Sequence, residues 1–431
     1  MAQARPAFLE IDLISAQGIA LQRSVSEKYG PKIVEAASLA ERMFLLRSPW
    51  APGLRFVGAE TRRAAGGESA DVSFSLSGSG ETLEDAFVSC IGEGIDRLAQ
   101  IECPGDVTAI ARLAEVADRV WPAAVAIIEQ DMAQQALPIA TPLAWVSGKP
   151  LDIGCDSRGG DHDVLLPADW CLRRPPGQQR LSPRTALSVG VAAGPTFDWA
   201  ASRALLELIE RDAASLWWLG GRRGKAVPLD HPAMAEIRRL LGTLRQDAQD
   251  RRSWVLDLTT DIGIPVVGAL SCGMDGKQLA YGLAARLSLE EAARAAILEL
   301  CQTELAILLA QIKQVETGEG NLPPTDRAHL ERGAVIKADQ CALLHPIEQN
   351  LTPSEKVMGP ELPAIASAMS RLGIEIALVD MTRPQYGIPV VRAVAPALQP
   401  MPSDTVTDRL RRALKDWGGG DRYTGGTWLM L

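Results

Sequence analysis

The sequence is poor in the residues on which zinc, disulfide and histidine chemistry depend. It has four histidines and seven cysteines in 431 residues, and no two cysteines form a C-x-x-C pair. We therefore expect neither a zinc site nor a disulfide framework. A Walker A loop is also absent. Residues 273–277 are superficially similar, but they separate two strand-like segments and are better interpreted as a hairpin turn.

Basic patches and long apolar runs are lacking as well. The net charge is −9, so no basic stripe is available to displace counterions from a nucleic acid. We find no apolar run of the roughly 18–20 residues that cross a bilayer. The N-terminus does not have the pattern of a signal peptide. We therefore expect a cytoplasmic protein that binds neither membranes nor nucleic acid.

The order of hydrophobic patterns predicts how the chain is organised. Residues 1–56 are predicted to form an N-terminal helical segment, whose helical periodicity is strongest at 37–46. From residue 57 onward strands and long helices alternate, which predicts an α/β fold (α+β mixed) with mixed sheets. Residues 148–183 and 318–363 are rich in proline and glycine and predict long loops.

Three helical segments repeat one pattern. Each begins with a hydroxyl residue at the N-cap, followed closely by acidic residues that suit the positive end of the helix. Eleven residues after each cap comes a glutamate, and three residues later a second oxygen-bearing side chain. The caps are Thr82, Thr196 and Ser288, and the pairs are Glu93 with Asp96, Glu207 with Glu210, and Glu299 with Gln302.

This repeat indicates a shared site for a cation. A spacing of three residues puts both oxygen-bearing side chains on one helix face. The flanking residues are mostly apolar or small, so unpaired carboxylates would be costly to bury there. A hard cation that prefers oxygen ligands would remove the repulsion. A solvated face explains any single pair better, and all three could also be a structural repeat without chemistry.

A second repeat indicates duplicated construction. Asp257-Leu-Thr259 leads to Gly263-Ile-Pro-Val-Val267, and Asp380-Met-Thr382 leads to Gly387-Ile-Pro-Val-Val391. Each copy predicts a strand, a tight loop and a second strand.

These motifs together resemble those of the YcaO family. The matching segments are S-x3-E-x2-D-R from Ser89 to Arg97, E-L-I-E-R-D-A from Glu207, E-x2-Q from Glu299, S-V-G-V-A-A-G from Ser188, and G-I-P-V-V-R ending at Arg392. Asp96 stands where the family has glutamate, and Val189 where it has asparagine. The resemblance covers about residues 57–400, which are predicted to be the YcaO catalytic domain, while 401–431 form a C-terminal helix and tail. It implies a YcaO-like fold with repeated strand–helix units around a central nucleotide site.

The resemblance implies a reaction that uses ATP and Mg²⁺. ATP would bind among the three helices, with Mg²⁺ bridging the acids and the phosphates. A nucleophile would attack a backbone amide carbonyl, whose oxygen is then phosphorylated and eliminated. The implied metal ligands are Glu93, Asp96, Glu207, Glu210 and Glu299, and the implied nucleotide contacts are Ser89, Glu93, Arg97, Glu207, Arg211, Gln302 and Arg392. Arg97 or Arg211 could instead pair with a neighbouring acid, and Trp217 and Trp218 are expected in the core rather than on adenine.

The product and the partners are less determined. An external sulfur would give a thioamide, whereas a Cys, Ser or Thr side chain of the substrate would give an azoline. Azoline-forming members often end in a proline-rich tail, which this sequence lacks, so thioamide formation is favoured. A peptide or protein substrate is implied, and a TfuA-like or peptide-docking partner and a homodimer are left open. The sequence also leaves room for a catalytically silent scaffold that binds a peptide or partner, and for an unrelated magnesium phosphohydrolase.

Overall fold

The computed structural model describes residues 8–13, 15–62, 73–151, 163–175, 177–227, 229–246, 248–347, 361–419, 421–427 and 429. The strands are β1 (Phe8–Glu10), β2 (Ala40–Leu46), β3 (Arg55–Arg62), β4 (Ser73–Gly80), β5 (Ala109–Ala111), β6 (Leu143–Pro150), β7 (Val164–Pro167), β8 (Val191–Ala193), β9 (Lys225–Ala226), β10 (Arg251–Asp257), β11 (Val266–Gly273), β12 (Ala280–Ala285), β13 (Ala377–Asp380) and β14 (Val390–Val394). The helices are α1 (Ala16–Tyr29), α2 (Pro31–Glu35), α3 (Leu83–Ala99), α4 (Leu113–Val116), α5 (Pro122–Gln134), α6 (Ala168–Cys171), α7 (Phe197–Trp218), α8 (Ala235–Arg245), α9 (Leu289–Thr317), α10 (Pro324–Val335), α11 (Glu361–Ser370), α12 (Asp408–Trp417) and α13 (Asp421–Thr424).

The strands form three sheets. Their orders are β1-β2-β3-β4, β9-β10-β11-β12 and β5-β6-β13-β14-β8, with β7 paired to β6 in the third sheet. All pairs of named strands in the described residues are antiparallel. The predicted combination of helices and sheets is therefore confirmed, but the sheets are antiparallel rather than mixed. Many neighbouring strands also follow one another in sequence, and such strands pair antiparallel through short connections.

Each sheet ends, at one edge, in the strand that leads into one of the three repeated helices. These strand–helix pairs are β4 with α3, β8 with α7, and β12 with α9. The predicted N-caps are confirmed: the hydroxyl oxygens of Thr82, Thr196 and Ser288 accept hydrogen bonds from the backbone N–H three residues later, at 3.2, 3.2 and 3.1 Å. Each cap therefore starts its helix at the predicted residue.

The three strand–helix units close into a ring. Helix α3 packs on β4 and also contacts β8, α7 packs on β8 and contacts β12, and α9 packs on β12 and contacts β4. An ion pair between Arg294 of α9 and Glu81, just before α3, joins the last unit to the first. Each of the helices also contributes to its own apolar cluster. The repeat in the sequence is thus a pseudo-threefold arrangement in space.

The second repeat is also confirmed. In the β10–β11 copy, Asp257 Oδ1 accepts a hydrogen bond from Thr259 N at 2.9 Å, and Thr259 Oγ1 accepts one from Val266 N at 3.1 Å. Asp380, Thr382 and Val390 make the same two bonds at 2.9 and 3.1 Å. The aspartate and threonine therefore close the loop between the strands in both copies. The turn predicted at 273–277 likewise joins the paired strands β11 and β12.

The prediction of a helical N-terminal segment is wrong for Ala40–Leu46. These residues form β2, which pairs with β1 and β3. Pairing with a strand distant in sequence overrides the local helical periodicity. The predicted boundary between residues 56 and 57 lies inside β3, so the first sheet continues across it.

Both predicted long loops contain regular structure. Residues 318–363 include the helix Pro324–Val335, where proline occupies the first turn and therefore favours the start of a helix instead of breaking one. Residues 148–183 include β7 and the short helix Ala168–Cys171. The parts of these predictions at 152–162 and 348–360 lie outside the described residues.

Helix α9 departs from the expectation that no segment is long and apolar enough to cross a bilayer. It has 29 residues, and its most apolar window of 18 residues has a mean hydropathy of 1.5. Half of that window is buried inside the protein, where α9 packs against β11, β12, α8 and α10. Its apolar composition is accounted for by a central position in the fold.

Close packing of α9 on β12 predicts a large effect of adding one methyl group at Gly282. A Cβ atom there would lie 2.1 Å from Ala296 O and 2.3 Å from Leu300 N. Because both atoms belong to the helix backbone, Gly282→Ala is expected to lower the free energy of unfolding by about 1–3 kcal/mol or more. Urea unfolding measures this change in the free energy of unfolding. Gly242→Ala is the control, since a Cβ there meets nothing within 4 Å. Equal stability of the two variants would contradict the packing.

Candidate functional site

The first glutamate of each repeated pair is held by the strand beneath it. Each accepts a hydrogen bond from a backbone N–H in or next to the strand that precedes its helix. The bonds are Ser77 N to Glu93 Oε2 at 2.7 Å, Gly190 N to Glu207 Oε2 at 3.0 Å, and Leu283 N to Glu299 Oε2 at 3.0 Å. The three carboxylates therefore have equivalent positions in the three units.

Arginines orient two of these glutamates. Arg97 Nη2 lies 2.5 Å from Glu93 Oε1, and Arg211 Nη2 lies 3.2 Å from Glu207 Oε1, one helical turn apart in each case. Arg211 Nε also lies 3.7 Å from Glu210 Oε1. Both arginines thus pair with neighbouring acids, a role that the sequence also allowed. The charges of Glu210, Glu207 and Glu299 raise the pKa of Arg211, although burial alone would lower it.

Asp96 connects the first unit to the second. Burial raises the pKa of its carboxyl well above the usual range, and the charges of Glu207 and Glu93 raise it further. A hydrogen bond from the backbone of Ala193, in the segment before α7, opposes this shift of the pKa. Asp96 Oδ1 is buried without a hydrogen-bond partner among the described residues. A buried carboxylate oxygen of this kind needs a cation or a proton.

Glu210 and Glu299 connect the second unit to the third. Burial raises the pKa of Glu210 well above the usual range; Glu299 and Glu207 add to the rise, while Arg211 and Arg286 oppose it. The pKa of Glu299 is also raised by burial and by Glu207, against Arg211 and the hydrogen bond from Leu283. Neighbouring helices thus present carboxylates that repel one another across the ring.

The donor set fits Mg²⁺ held jointly with phosphate groups. Carboxylates that raise one another's pKa, one of them with an unpartnered oxygen, are suited to a divalent cation. Among the described residues, no three Asp, Glu, His or Cys side chains are grouped closely enough to hold an ion by themselves. An ion here would therefore complete its coordination with phosphate oxygens and water, as Mg²⁺ commonly does.

Two residues near the acids were not predicted from the sequence. Arg286 follows β12, and burial and the charge of Arg203 lower its pKa. The charges of Glu210 and Glu299 oppose that shift, so the guanidinium of Arg286 lies near these acids. Tyr281 is 8% exposed, and burial raises its pKa, with Glu299 and Glu210 adding to the rise. One signal could have revealed Arg286. Arg286 stands two residues before the N-cap of α9, and the other two units have Gly80 and Gly194 at the same distance from their caps.

The remaining predicted site residues lie in different surroundings. Ser89 is exposed on α3, and Gln302 is half-buried on α9, where the other units have an acid. Arg392 is buried beneath the second unit and donates to the carbonyl oxygens of Leu187 and Val189. The nucleotide contacts assigned to these three residues stay predictions.

The two tryptophans are core residues, as predicted. Trp217 and Trp218 are fully buried, and their rings meet edge-on with centroids 5.4 Å apart. Their indole N–H groups donate to Leu343 O and Thr427 O, each at 2.8 Å. These contacts leave neither ring open to an adenine.

The raised carboxyl pKa values predict that Mg²⁺ binding depends on pH. Without the ion, the folded protein keeps protons that the unfolded chain would release, so its stability falls as pH rises above the ordinary carboxyl pKa of about 4. Mg²⁺ must displace these protons. With a non-hydrolysable ATP analogue present, we expect tighter Mg²⁺ binding at mildly alkaline than at mildly acidic pH. Calorimetry in two buffers of different ionisation enthalpy counts the protons released, and Glu210→Gln should release fewer. Affinity that does not change with pH would contradict the prediction.

Comparisons with known sequences match one protein family over most of the chain. The model of one family, described as YcaO cyclodehydratase, ATP- and Mg²⁺-binding, matches residues 77–399. An uncharacterised protein in the tfuA 3′ region of Rhizobium leguminosarum bv. trifolii is 27% identical over 342 residues, 75% of this chain and 76% of the relative. An uncharacterised protein of Methanothermobacter thermautotrophicus is 26% identical over 341 residues, 75% of this chain and 81% of the relative.

Solved structures show the same fold. A heterocyclase in complex with substrate and cofactor superposes with a TM-score of 0.67 at 21% identity, over 88% of this chain and 52% of that one. The chain thus spans about half the length of that heterocyclase. YcaO from Methanopyrus kandleri, bound with AMPPCP and Mg²⁺, gives a TM-score of 0.57 at 20% identity, over 88% of this chain and 91% of that one. The E. coli microcin synthetase McbBCD complex gives a TM-score of 0.58 at 16% identity, over 83% of this chain and 88% of that one.

Proposed function

Because the chain belongs to the YcaO family, we propose that it activates a backbone amide of a peptide or protein with ATP and Mg²⁺ and replaces the amide oxygen with sulfur. Membership confirms the resemblance found in the motifs, the YcaO-like fold and the expected cofactors, ATP and Mg²⁺. The observation that carries the proposal is the ring of acids contributed by three equivalent helices. Their mutual repulsion is what a cation bound with phosphate groups would relieve.

The residues of the ring have separate tasks in this proposal. Asp96 and Glu207 would hold an ion between the first two units, and Glu210 and Glu299 between the second and third. When bound, Mg·ATP supplies the phosphoryl group that takes away the amide oxygen. The backbone N–H groups in or next to the strands fix the three glutamates before Mg·ATP binds. Their side chains would therefore need little rearrangement on binding.

The exchange of atoms balances with hydrosulfide as the sulfur source. A bond forms between sulfur and the carbonyl carbon, and the bond between that carbon and its oxygen breaks. The oxygen leaves in inorganic phosphate, which also takes the proton of hydrosulfide. The remaining products are ADP and the thioamide, and no oxidant or reductant is needed.

Two observations support the thioamide. The relative from Rhizobium is named for its position beside tfuA. In this chain the C-terminal residues pack into the core: Thr427 O accepts from Trp218, and Leu429 is fully buried. Trp218 lies about two helical turns beyond Glu210, so the described tail is fixed away from the acids.

Azoline formation is the second candidate. It is favoured by the fold shared with heterocyclases, and it would use the same activation of an amide oxygen. The complete acid pairs of the first two units argue against a catalytically silent scaffold. A TfuA-like or peptide-docking partner, a cytoplasmic location, a homodimer and the domain boundary at 400 remain part of the proposal.

The test uses a candidate peptide whose backbone carbonyls carry a heavy-oxygen label. The peptide is incubated with the protein, Mg·ATP and hydrosulfide, and both peptide and phosphate are analysed by mass spectrometry. Labelled phosphate with a mass gain of sulfur for oxygen supports the proposal. Labelled phosphate with loss of one water supports the azoline candidate. Unlabelled phosphate, released equally without peptide, would instead indicate a phosphohydrolase.

A further inference from the structure

The third unit of the ring has no arginine at the helix position where the other two units have one. Arg97 and Arg211 directly follow the acid pairs of α3 and α7, whereas Thr303 follows Gln302 in α9. The third unit has Arg286 instead, which lies directly after the last residue of β12. A different element of the fold therefore brings an arginine to this part of the ring.

The three arginines differ in whether their charges are already paired. Arg97 and Arg211 form ion pairs with Glu93 and Glu207, one turn earlier in their own helices. Arg286 has no carboxylate within ion-pair distance among the residues that the structure describes. An anionic ligand can therefore bind Arg286 without first breaking an ion pair.

The donors of the Arg286 guanidinium are only partly used. Its Nη1 donates to Ala285 O at 2.6 Å. Its Nε and Nη2 make no hydrogen bond with the described residues, and neither atom belongs to the unpartnered atoms that are sealed from solvent. The side chain as a whole is half-buried. Two donor atoms of a half-buried cation thus remain accessible to a ligand.

The surroundings place Arg286 beside two acids of the ring. Arg286 N donates to Pro265 O at 3.0 Å, and Leu283, three residues earlier, holds Glu299. Helix α7, which carries Glu210, packs against β12. Burial lowers the pKa of Arg286, and the charges of Glu210 and Glu299 oppose that shift. Arg286 therefore lies near the two acids proposed to hold Mg²⁺ between the second and third units.

A second arginine, Arg203, lies near Arg286 but is itself paired. Its charge contributes to the lowered pKa of Arg286. Arg203 Nη2 lies 2.9 and 3.2 Å from the two carboxylate oxygens of Glu361. This pairing offsets the charge of Arg203 and so reduces the repulsion between the two guanidinium groups. The free donors nevertheless belong to Arg286.

This arrangement suits a phosphoryl group held between a metal ion and an arginine. Carboxylates bind phosphate only through a cation, and they repel the phosphate oxygens that the cation leaves uncovered. A guanidinium matches two such oxygens with parallel N–H groups. Arg286 gives up part of its hydration without gaining a carboxylate partner, a cost that a bound phosphate would offset.

We propose that Arg286 binds the terminal phosphoryl group of ATP, while Glu210 and Glu299 hold Mg²⁺ beside it. The proposal rests on the proposed function and adds a residue that distinguishes ATP from ADP, because ADP lacks the group that Arg286 binds. The same contact neutralises charge on the phosphoryl oxygens during their transfer.

Arg286→Met should weaken the binding of a triphosphate and leave that of a diphosphate nearly unchanged. Calorimetry on the full chain with Mg²⁺ and without peptide compares AMPPCP with ADP. Loss of hydrogen bonds to a charged group should raise the Kd of AMPPCP by about tenfold or more, and that of ADP by less than about threefold. An equal rise for both nucleotides, or for neither, would overturn the role of Arg286 alone. Failure of the unsubstituted protein to bind either nucleotide would overturn the proposed function as well.

Two further variants make the binding measurement specific. Arg252→Met is the control, because Arg252 lies on β10 of the same sheet and pairs with Asp339, so neither Kd should change. Arg286→Lys keeps the charge and loses the planar fork. Its Kd for AMPPCP should lie between the values of the unsubstituted protein and Arg286→Met.

Stability and crystallography separate a ligand contact from a structural role. Because the fold lowers the pKa of Arg286, its charge is less favourable in the folded than in the unfolded chain, and Arg286→Met should not lower the melting temperature without nucleotide. A large fall in that temperature with unchanged AMPPCP binding would overturn the proposal. In crystals with Mg²⁺ and AMPPCP, we expect Nε or Nη2 of Arg286 within about 3 Å of a terminal phosphate oxygen. A terminal phosphate beyond hydrogen-bond reach of Arg286 would also overturn it.

Discussion

Replacing Glu210 by glutamine is expected to give a protein that is inactive but more stable. Burial and the charges of Glu299 and Glu207 hold the pKa of Glu210 well above the usual range, so the folded protein without Mg²⁺ is destabilised by ionising it. An amide removes that penalty, and the melting temperature should rise. The same change removes a proposed ligand of Mg²⁺. A metal ion contributes several kcal/mol to stabilising a transferring phosphoryl group, so kcat should fall by roughly 10³-fold.

The opposite signs of the two effects distinguish a metal site from a structural ion pair. Thermal unfolding without Mg²⁺ gives the melting temperature, and phosphate release in the presence of peptide gives kcat. Glu316→Gln is the control. Glu316 is exposed in the last turn of α9, so neither the melting temperature nor kcat should change. If Glu210→Gln loses stability and keeps activity, the carboxylate supports the fold and does not hold the ion.

The second large effect is expected from Arg409, which fastens the C-terminal helix α12 to α7. Its Nε and Nη2 lie 2.8 and 2.7 Å from the two carboxylate oxygens of Asp212, and its Nη2 is 2.7 Å from Asp261 Oδ1. Asp212 is fully buried; burial raises the pKa of its carboxyl, and Arg409 opposes the rise. Arg409→Met would leave this charge without its cation and should lower the free energy of unfolding by about 3–5 kcal/mol.

Two comparisons make this measurement specific. Arg411→Met, on the same helix, removes an exposed arginine paired with Asp408 and should change stability by less than about 1 kcal/mol. Arg409→Met combined with Asp212→Leu removes both charges and should recover much of the loss. Urea unfolding of all three variants gives the free energies. If Arg409→Met is no worse than Arg411→Met, the pair does not fasten the helix.

The parts of the site that follow local rules could be predicted from the sequence. Thr82, Thr196 and Ser288 cap their helices because a hydroxyl oxygen satisfies free N–H groups wherever a helix begins. The acid pairs lie on one helix face because their spacing is fixed by helix geometry. The turn at 273–277 and the loops after Asp257 and Asp380 follow from residues within the loops themselves.

The parts that depend on distant pairing could not be predicted. Ala40–Leu46 has a helical pattern but becomes a strand because β1 and β3 lie on either side of it. Arg409 has no local pattern that points to Asp212, a residue 197 positions away. Arg392 likewise has no local pattern that points to Val189, a residue 203 positions away. Arg286, by contrast, could have been found by aligning the sequence on the three N-caps.

The second unit of the ring has a consequence for how the protein is made. Its strand β8 and helix α7 come from the middle of the chain, but the hairpin β13–β14 that completes its sheet comes from residues 377–394. Arg392 and Val189, which meet there, are 203 residues apart. Since ribosomes deliver a chain from its N-terminus, the surroundings of the acid ring stay incomplete until residue 394 has been synthesised. A nascent chain interrupted before residue 377 would contain all five acids of the ring and yet lack the strands β13 and β14 that complete the sheet of the second unit.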